Sequence, residues 1–399
     1  MSTASGTPKV AYVSADPGVP IFGRKGSSVH VQEVVRAMRD LDVEVEIFAA
    51  RTGGDAPNDL AGVPVHKLPR LPKEAKDDLF RREAALLAAN GGLSDALEEN
   101  GPFHAVYERY SIWSRAGISY ANEKNIPVVL EVNSPLIEEQ ATHRGLVDRE
   151  GAEAVAREVF ANADALLAVS GGVAKYLEGY AEAERIHTIP NGVAAHRYGP
   201  EVEPALPKKD GSFVVGFVGT LKPWHGLSGL AEAFSALHRE RPASRLLVVG
   251  DGPELANMER DLDGRGLLDS VHFTGAVGPG EVPGLLASMD VGVAPYPSGG
   301  DDFYFSPLKV YEYLAAGLPV VASRVGQLGE LIQSGANGLL YEPGEVAALA
   351  EAMILLEEDG DLRESLGSKA RQTVLESHTW ESVARNILDL LGLNVAAKR

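Results

Sequence analysis

Short apolar runs alternate with amphipathic helical stretches along almost the whole chain of 399 residues. The runs are rich in Val, Ile and Leu, a composition typical of strands buried on both faces of a parallel sheet. Because repeated strand–helix units build such sheets, the alternation predicts a doubly wound α/β fold. In the first half, strands are predicted at Val10–Ser14, Val43–Ala49, Val63–Leu68, Ala105–Glu108, Val128–Val132, Leu166–Ser170 and Ile186–Pro190.

The alternation stops at Pro200–Gly211, a Pro-rich and charged stretch without a period, and then starts again. A chain of this length exceeds one ordinary core, so we predict two domains, residues 1–200 and 201–378. Ligands of such sheets bind beyond the carboxyl ends of the strands. In the second half, strands are predicted at Phe213–Gly219, Arg245–Gly250, Val271–Gly275, Val291–Pro295, Pro319–Ser323 and Gly338–Leu340.

The composition excludes several classes of protein. The chain has 37 basic and 56 acidic residues, and the net charge of −19 argues against nucleic acid binding. There is no cysteine, which excludes disulfides, thiol nucleophiles and thiolate metal sites. The histidines show no metal-ligand spacing, so we predict no metal. No signal peptide or long apolar span is present, so we predict a cytoplasmic protein. The charge-balanced stretch Lys73–Glu83 favours a solvated helical face over a membrane anchor.

The segment Asp301–Gly317 predicts a helix with an anion site at its start. Ser306 is a good N-cap, Pro307 suits the first turn, and Gly317 is expected to end the helix. The amides around Leu308 and Lys309 would be free to bind an anion, aided by the helix dipole and the charge of Lys309. One turn later, Glu312 could accept hydrogen bonds from the two hydroxyls of a ribose. A capped helix with an exposed Lys and Glu explains the same residues equally well.

In each half, one Gly-containing loop follows the first strand. Gly219–Gly226 offers Lys222 and His225 for stabilising a leaving diphosphate, whereas Trp224 is more simply explained as a packing residue. The earlier loop, Pro17–Ser28, precedes a helix predicted from about Ser27 to Leu41. Its glycines lack the dinucleotide fingerprint and the Walker pattern, so it predicts an NAD site only weakly. Its small residues would let the backbone approach a phosphate or an acceptor, and a flexible turn is the alternative.

Polar residues also follow two strands of the first half, at Tyr107–Tyr110 and Glu131–Ser134. Among them, Arg109, Glu131 and Asn133 are candidates for contacts with the sugar or the acceptor, because these strand ends border the predicted cleft. Each of these residues could equally be a turn or capping residue.

In this order, the segments resemble family 4 of the retaining GT-B-fold glycosyltransferases. The motifs that carry the resemblance are YERYS, LEVNSPL, IPNGV, GTLKPWHG, VVGDGPE, FTGAV, APYP and FYFSPLKVYEYLAAGLPVVAS. The resemblance implies two Rossmann-like domains facing across a cleft, with the acceptor bound by the first and the nucleotide sugar by the second. It also implies that the last helix, Thr379–Arg399, packs back on the first domain.

The resemblance assigns roles to particular residues. Glu312 matches the ribose-binding glutamate, and the run from Ser306 through Pro307 and Leu308 to Lys309 matches the loop that holds the diphosphate. Val277 lies where the backbone in this family contacts the nucleobase of the donor. Gly26 matches the N-terminal loop near the donor phosphates and the acceptor.

Three positions depart from the pattern of the family. Tyr304 replaces the usual glutamate eight positions before Glu312, which leaves Asp301 or Asp302 for the sugar contact. Thr220 and His225 replace the frequent Arg and Lys of the phosphate pair, so Lys222 is the expected main cation. A frequent histidine after the fourth strand is replaced by the motif around Glu131 and Asn133.

The resemblance implies retaining, metal-independent transfer of a hexose-type sugar from a UDP- or GDP-type donor to an acceptor hydroxyl. We predict catalytic roles for Lys222, His225, Glu312 and Asn133. The acceptor would be a small molecule, a natural product or a cell-surface glycan, with peripheral membrane contact left open. The alternatives are a nucleotide-sugar epimerase of GT-B architecture, a two-domain sugar-binding protein and an idle homologue that binds a nucleotide sugar without turnover.

Overall fold

A computed structural model describes residues 6–75, 78–208, 211–297, 304 and 306–393. The chain folds into two compact units. The first unit comprises residues 1–191, 304–306 and 380–399, and the second comprises 192–303 and 307–379. The part of the predicted linker up to Lys208 packs within the second unit, where Ala205 N donates to Gly284 O over 2.8 Å.

The first unit is built on a parallel sheet with the strand order β3-β2-β1-β4-β5-β6-β7. The order reverses between β1 and β4, so this is the switch point at which doubly wound sheets open a crevice. Its strands are β1 (Lys9–Ser14), β2 (Glu44–Ala49), β3 (Val65–Lys67), β4 (Ala105–Arg109), β5 (Val128–Val132), β6 (Ala165–Ala168) and β7 (Ile186–Thr188). Its helices are α1 (Gly26–Asp40), α2 (Leu79–Asn100), α3 (Ala116–Lys124), α4 (Leu136–His143), α5 (Arg149–Asn162), α6 (Gly171–Leu177) and, from the end of the chain, α14 (Trp380–Leu390).

The second unit repeats the same design in the order β10-β9-β8-β11-β12-β13, with its switch point between β8 and β11. Its strands are β8 (Val214–Val218), β9 (Arg245–Val249), β10 (Val271–Phe273), β11 (Val291–Ala294), β12 (Val320–Ser323) and β13 (Gly338–Tyr341). Its helices are α7 (Leu227–Glu240), α8 (Leu255–Gly264), α9 (Val282–Leu286), α10 (Leu308–Ala315), α11 (Leu328–Leu331), α12 (Val346–Glu358) and α13 (Gly360–Ser377).

Every predicted strand is present in the described part of the chain, and the predicted α/β fold is confirmed. The observed bounds differ from the predicted ones by one or two residues at the strand ends. The predicted strand Leu166–Ser170 ends at Ala168, for example, because Ser170 caps α6 instead and its Oγ accepts from Val173 N over 3.3 Å. In the described residues, no helix is both long and apolar enough to cross a membrane.

The final helix, α14, belongs to the first unit although it follows the whole of the second unit in the chain. Its apolar residues recur at helical spacing and are buried. Trp380 lies edge-on to His30 of α1, with the ring centroids 5.2 Å apart. Ile387 and Leu388 are completely buried, so α14 completes the apolar core of that unit.

The charged stretch Lys73–Glu83 is not simply a solvated helical face, and this expectation is corrected at Glu83. Glu83 lies on α2 and is buried, and its two carboxylate oxygens accept from Val147 N and Asp148 N, each over 2.8 Å. The carboxylate therefore fastens the loop that precedes α5. Residues 76 and 77 of this stretch lie outside the described residues.

Candidate functional site

In the second unit, the loop Gly219–Gly226 follows β8 at the switch point of the sheet. Backbone hydrogen bonds join this loop to the one after β9. Gly219 N donates to Val249 O over 2.9 Å, and Leu221 N donates to Asp251 O over 3.0 Å. The loop is thus held by the sheet at the place where an α/β protein binds its ligand.

Two glycines of this loop have positive φ angles that residues with a side chain rarely adopt, and at one of them a side chain would also clash with the backbone. Gly219 has a φ of +135°, and a Cβ at this position would lie 3.0 Å from Lys309 Nζ. Gly226 has a φ of +65°, and a Cβ there would lie 1.7 Å from Pro295 O. Residues with a side chain rarely adopt these backbone conformations, so glycine is favoured at both positions. At Gly226, glycine also lets the start of α7 lie against the residues after β11.

Lys309, on the first turn of α10, carries a buried amine without a hydrogen-bond acceptor among the described residues. Its Nζ lies 4.1 Å from the ring centroid of Phe217, so the charge rests on an aromatic face. Burial lowers the pKa of Lys309 to about 7, although the charge of Glu312 acts in the opposite direction. A buried ammonium without a counter-ion is costly, and an anion bound here would remove much of that cost.

His225 lies close to two cations and is neutral in the unliganded protein. Burial first, and then the charges of Lys309 and Lys222, lower the pKa of His225 to about 3. Its Nδ1 lies 2.6 Å from Thr220 O. Because a carbonyl oxygen can only accept, Nδ1 carries the proton and Nε2 is left as an acceptor.

Lys222 stands at the start of the short turn Pro223–His225, with its Nζ 5.6 Å from the ring centroid of Trp224. The expectation that Trp224 is a packing residue is wrong, because 48% of it is exposed. Thr220 is exposed as well. This loop therefore presents an aromatic surface and a cation, while its Leu221 is completely buried in the core of the unit.

Glu312 is partly buried on α10, one turn after Leu308 and Lys309. Its Oε1 accepts a hydrogen bond from the hydroxyl of Tyr198 over 3.1 Å. The phenol holds the carboxylate in one orientation within the second unit.

The start of α10 differs from the prediction. Pro307 occupies the N-cap position and no side chain caps the helix, so the expected capping by Ser306 is wrong. Instead, the Ser306 hydroxyl accepts from Asn191 N over 3.2 Å, and Ser306 O accepts from Asn191 Nδ2 over 2.9 Å. A serine whose hydroxyl is engaged by another segment does not turn back to its own helix. The predicted end at Gly317 is correct: this residue has a φ of +73°, and Leu318 N donates to Tyr313 O as in a Schellman motif.

The other predicted donor residues lie on three different segments. Val277 is partly buried in the loop after β10, and Gly26 is the exposed first residue of α1 in the first unit. The backbone oxygen of Tyr304 accepts from the Ser170 hydroxyl. Asp301 and Asp302 lie outside the described residues.

The polar residues predicted in the first unit form a buried cluster around Glu131. His30 Nε2 lies 2.8 Å from one carboxylate oxygen of Glu131, and Arg109 Nη1 lies 3.3 Å from the other. Burial by itself would raise the pKa of Glu131, but His30 and Arg109 lower it to about 2. Asn133 Nδ2 is also buried and contributes to this lowering, although it makes no hydrogen bond of normal geometry.

His30 is a member of this cluster that the sequence motifs did not single out. It lies on α1, far from Arg109 and Glu131 in the chain. The available signal was a histidine in the helix after the first Gly-rich loop, but nothing local to that helix indicates its acidic partner. Only the packing of α1 on the sheet brings the three side chains together.

Two sequence models of known families match this chain in succession. Residues 25–192 match the model described as a glycosyl transferase 4-like domain, and residues 200–373 match glycosyl transferases group 1. Together the two models span most of both units. This chain is a member of the group 1 glycosyl transferases. The predicted enzyme class is confirmed, and nothing in the comparisons supports an epimerase.

This glycosyl transferase is similar to named relatives, one of them over most of its length. It is 26% identical to a D-inositol 3-phosphate glycosyltransferase of Salinispora arenicola, and the match covers 93% of this chain and 88% of the relative. It is 28% identical to a GDP-mannose-dependent mannosyltransferase of Mycobacterium tuberculosis that acts on phosphatidylinositol monomannoside, over 56% of this chain and 60% of the relative.

Solved structures show the same fold as this glycosyl transferase. Anabaena HepE in complex with UDP-glucose aligns with a TM-score of 0.72 at 20% identity, covering 96% of this chain and 99% of HepE. Sucrose-phosphate synthase from Thermosynechococcus elongatus aligns with a TM-score of 0.71 at 21% identity, covering 96% and 98%. The predicted GT-B fold of two Rossmann-like units is confirmed.

Proposed function

We propose that this glycosyl transferase moves a hexose-type sugar from a nucleoside diphosphate sugar to an acceptor hydroxyl, with retention of the anomeric configuration. The observation that carries the proposal is the amine of Lys309, buried beside Gly219 at the carboxyl end of β8 without a hydrogen-bond acceptor among the described residues. A diphosphate would supply the missing acceptor. The first-turn amides of α10 and the Nζ of Lys222 would share the anionic charge.

In the proposed step, the bond between the anomeric carbon and the diphosphate oxygen breaks while the acceptor oxygen bonds to the same face of that carbon. The acceptor proton passes to an oxygen of the departing diphosphate, so no protein nucleophile is needed. Lys309 and Lys222 stabilise the negative charge that grows on the diphosphate, and they do so without a metal ion.

We propose that the neutral imidazole of His225 helps to orient the bound donor as a hydrogen-bond acceptor. With its proton on Nδ1, Nε2 can accept from a hydroxyl of the bound donor. A bound diphosphate offsets the charges of Lys309 and Lys222, which are among the causes that lower the pKa of His225. The pKa of His225 should therefore rise when the diphosphate binds.

Glu312 is proposed to accept from the ribose hydroxyls, with Tyr198 setting the orientation of the carboxylate. Val277 would meet the base through its backbone, and Gly26 would lie near the phosphates and the acceptor. Asn133, with its buried amide, would contact the sugar or the acceptor.

The relatives include an enzyme named for GDP-mannose and a solved complex with UDP-glucose, so a GDP- or UDP-type donor is proposed. The cytoplasmic location stays a prediction.

The test is a thermal-shift screen with UDP, GDP, ADP, CMP and dTDP and the matching nucleotide sugars, followed by transfer assays with the donor that binds. A selective ligand raises the melting temperature by mass action. We expect Glu312→Ala to weaken donor binding and Lys222→Ala to lower kcat more than it changes KM. Lys369→Ala, an exposed lysine on α13, is the matched control. Full activity of both site variants would overturn the proposal.

A further inference from the structure

The first unit contains a cavity of about 640 Å³. Its lining includes neither the residues proposed to bind the donor nor the cluster around Glu131. This volume falls within the range of roughly 300–1,000 Å³ typical of small-molecule sites. The cavity lies beyond the carboxyl ends of β1, β2, β3 and β4, where a doubly wound sheet binds its ligands. Residues of α2 close its other side.

The charge of the cavity is opposite to that of the whole chain. Arg51, Arg70 and Arg82 line it, and none of the described residues in its lining is acidic. The chain as a whole has 56 acidic and only 37 basic residues. None of these three guanidinium groups forms an ion pair within the described residues. Their forks are therefore free to bind a carboxylate or a phosphate through two parallel hydrogen bonds.

Apart from the arginines, the lining is mostly apolar with a few neutral polar residues, and part of it is well fixed. Trp113 and Leu93 line the cavity and are buried. Asn90 holds the wall, because its Nδ2 donates to Trp113 O and its Oδ1 accepts from Arg115 N, each over 2.8 Å. Ser114 donates to Glu108 Oε1 over 2.5 Å and is fixed in the same way. A lining that combines fixed apolar side chains, neutral polar groups and guanidinium groups suits a ring that bears carbon-bound hydrogens, hydroxyls and an anionic group.

We propose that this cavity binds the acceptor and that the acceptor is a small polyol bearing an anionic group, a phosphate or a carboxylate. The inference rests on the proposed function, since an acceptor site has meaning only for a transferase. It adds that Arg51, Arg70 and Arg82 select an anionic acceptor over a neutral one.

The experiment measures binding by ligand-observed NMR with a hexose 6-phosphate, the corresponding hexuronate and the neutral hexose, without any donor. We expect the two anionic ligands to bind more tightly than the neutral one, and the stronger of the two identifies the anionic group. Arg70→Gln and Arg82→Gln should each weaken the anionic ligand about 10-fold or more. Arg157→Gln, an exposed arginine of α5 that does not line the cavity, is the matched control.

Nucleoside diphosphate binding, measured on the same variants, separates the two proposals. If the variants bind the nucleotide normally but lose the anionic polyol, the inference is supported. If the neutral hexose binds equally well, if no polyol binds, or if the arginine variants lose the nucleotide instead, the inference is wrong. If the wild-type protein binds no nucleotide, the proposed function fails, whatever the polyols do.

Discussion

Glu108 and Glu131 lie on adjacent strands of one sheet, yet the pKa values of their carboxyl groups are shifted in opposite directions. Burial raises the pKa of Glu108 to about 7, and the hydrogen bonds from Ser114 and the amide of Ile118 offset this only in part. Glu131 is equally buried, but His30 and Arg109 lower its pKa to about 2. A buried carboxylate is thus stable only where the fold supplies a cationic partner.

We expect Glu131→Gln to destabilise the protein at pH 7 by about 3 kcal/mol, because it removes one side of a buried ion pair. The folded-state pKa is lowered, so the stabilisation is present above the unfolded pKa of about 4.3 and is lost as the pH falls towards 2. The difference between variant and wild type should shrink over that interval. Urea unfolding followed by tryptophan fluorescence measures it, since Trp113 and Trp380 are the buried tryptophans.

Glu108→Gln is the matched control, and its pH dependence has the opposite sign. The folded-state pKa of Glu108 is raised, so the wild-type protein loses stability as the pH rises from about 4.3 through 7. The stability of the glutamine variant relative to the wild type should therefore increase between pH 5 and pH 8. If both variants show the same pH dependence, the two carboxyl environments have been misassigned.

The amine of Lys309 predicts proton uptake when a nucleoside diphosphate binds. With a pKa of about 7, roughly a tenth of this amine is protonated at pH 8. A bound anion raises that pKa, so binding should take up close to one proton. Calorimetry at pH 8 in buffers of different ionisation enthalpy measures the uptake. Lys309→Met should abolish it, whereas binding by the wild type without uptake would contradict the prediction.

At the level of the element, helix ends and loops are fixed by contacts with distant parts of the chain. Ser306 does not cap α10, because its hydroxyl and its carbonyl oxygen both accept from Asn191. Glu83 of α2 binds two backbone amides before α5. In both cases a polar residue that local rules place at a helix end or on its surface has a partner that lies far away in the sequence.

We expect Glu83→Ala to free the loop before α5, because Val147 N and Asp148 N lose a shared carboxylate. Hydrogen bonds to a charged group contribute about 2 kcal/mol each. Hydrogen exchange at these two amides should accelerate, while Glu98→Ala on the same helix, which removes an exposed pair with Lys124, should leave them unchanged. Unchanged exchange in the Glu83 variant would show that other contacts hold the loop.

At the level of the whole molecule, the chain builds two similar sheets and then returns to the first unit through α14. The proposed roles divide in the same way, with nucleotide binding in the second unit and the arginine-lined cavity in the first. The stability of the first unit thus depends on a helix encoded at the far end of the chain.

Because α14 packs in the first unit, we expect Ile387→Ala to lower the stability of that unit and to leave nucleotide binding nearly unchanged. Ile387 is completely buried on α14, so the substitution should cost about 3 kcal/mol in the unfolding of the first unit. Nucleotide affinity, assigned to the second unit, should change less than two-fold. Leu355→Ala, at a half-exposed residue of α12, is the control for the loss of a similar side chain. A parallel loss of affinity would argue that α14 contributes to the nucleotide site.

The sequence alone determined the fold class, the thirteen described strands and the glycine-containing loops that follow the first strand of each unit. These features depend on apolar periodicity, on glycines such as Gly219 and Gly226, and on an ordered series of motifs, all of which are local in the chain. The enzyme class followed from the same motifs.

Only the tertiary structure decided which polar groups are neutral, paired or free. The neutral state of His225 and the unpaired amine of Lys309 depend on burial and on cations from other elements. The partnership of His30 with Glu131 joins segments that are far apart in the chain. The three arginines come from separate loops and a helix that meet only around the cavity. Electrostatic energy depends on distances and solvent exposure in three dimensions, and the sequence does not specify these before the chain folds.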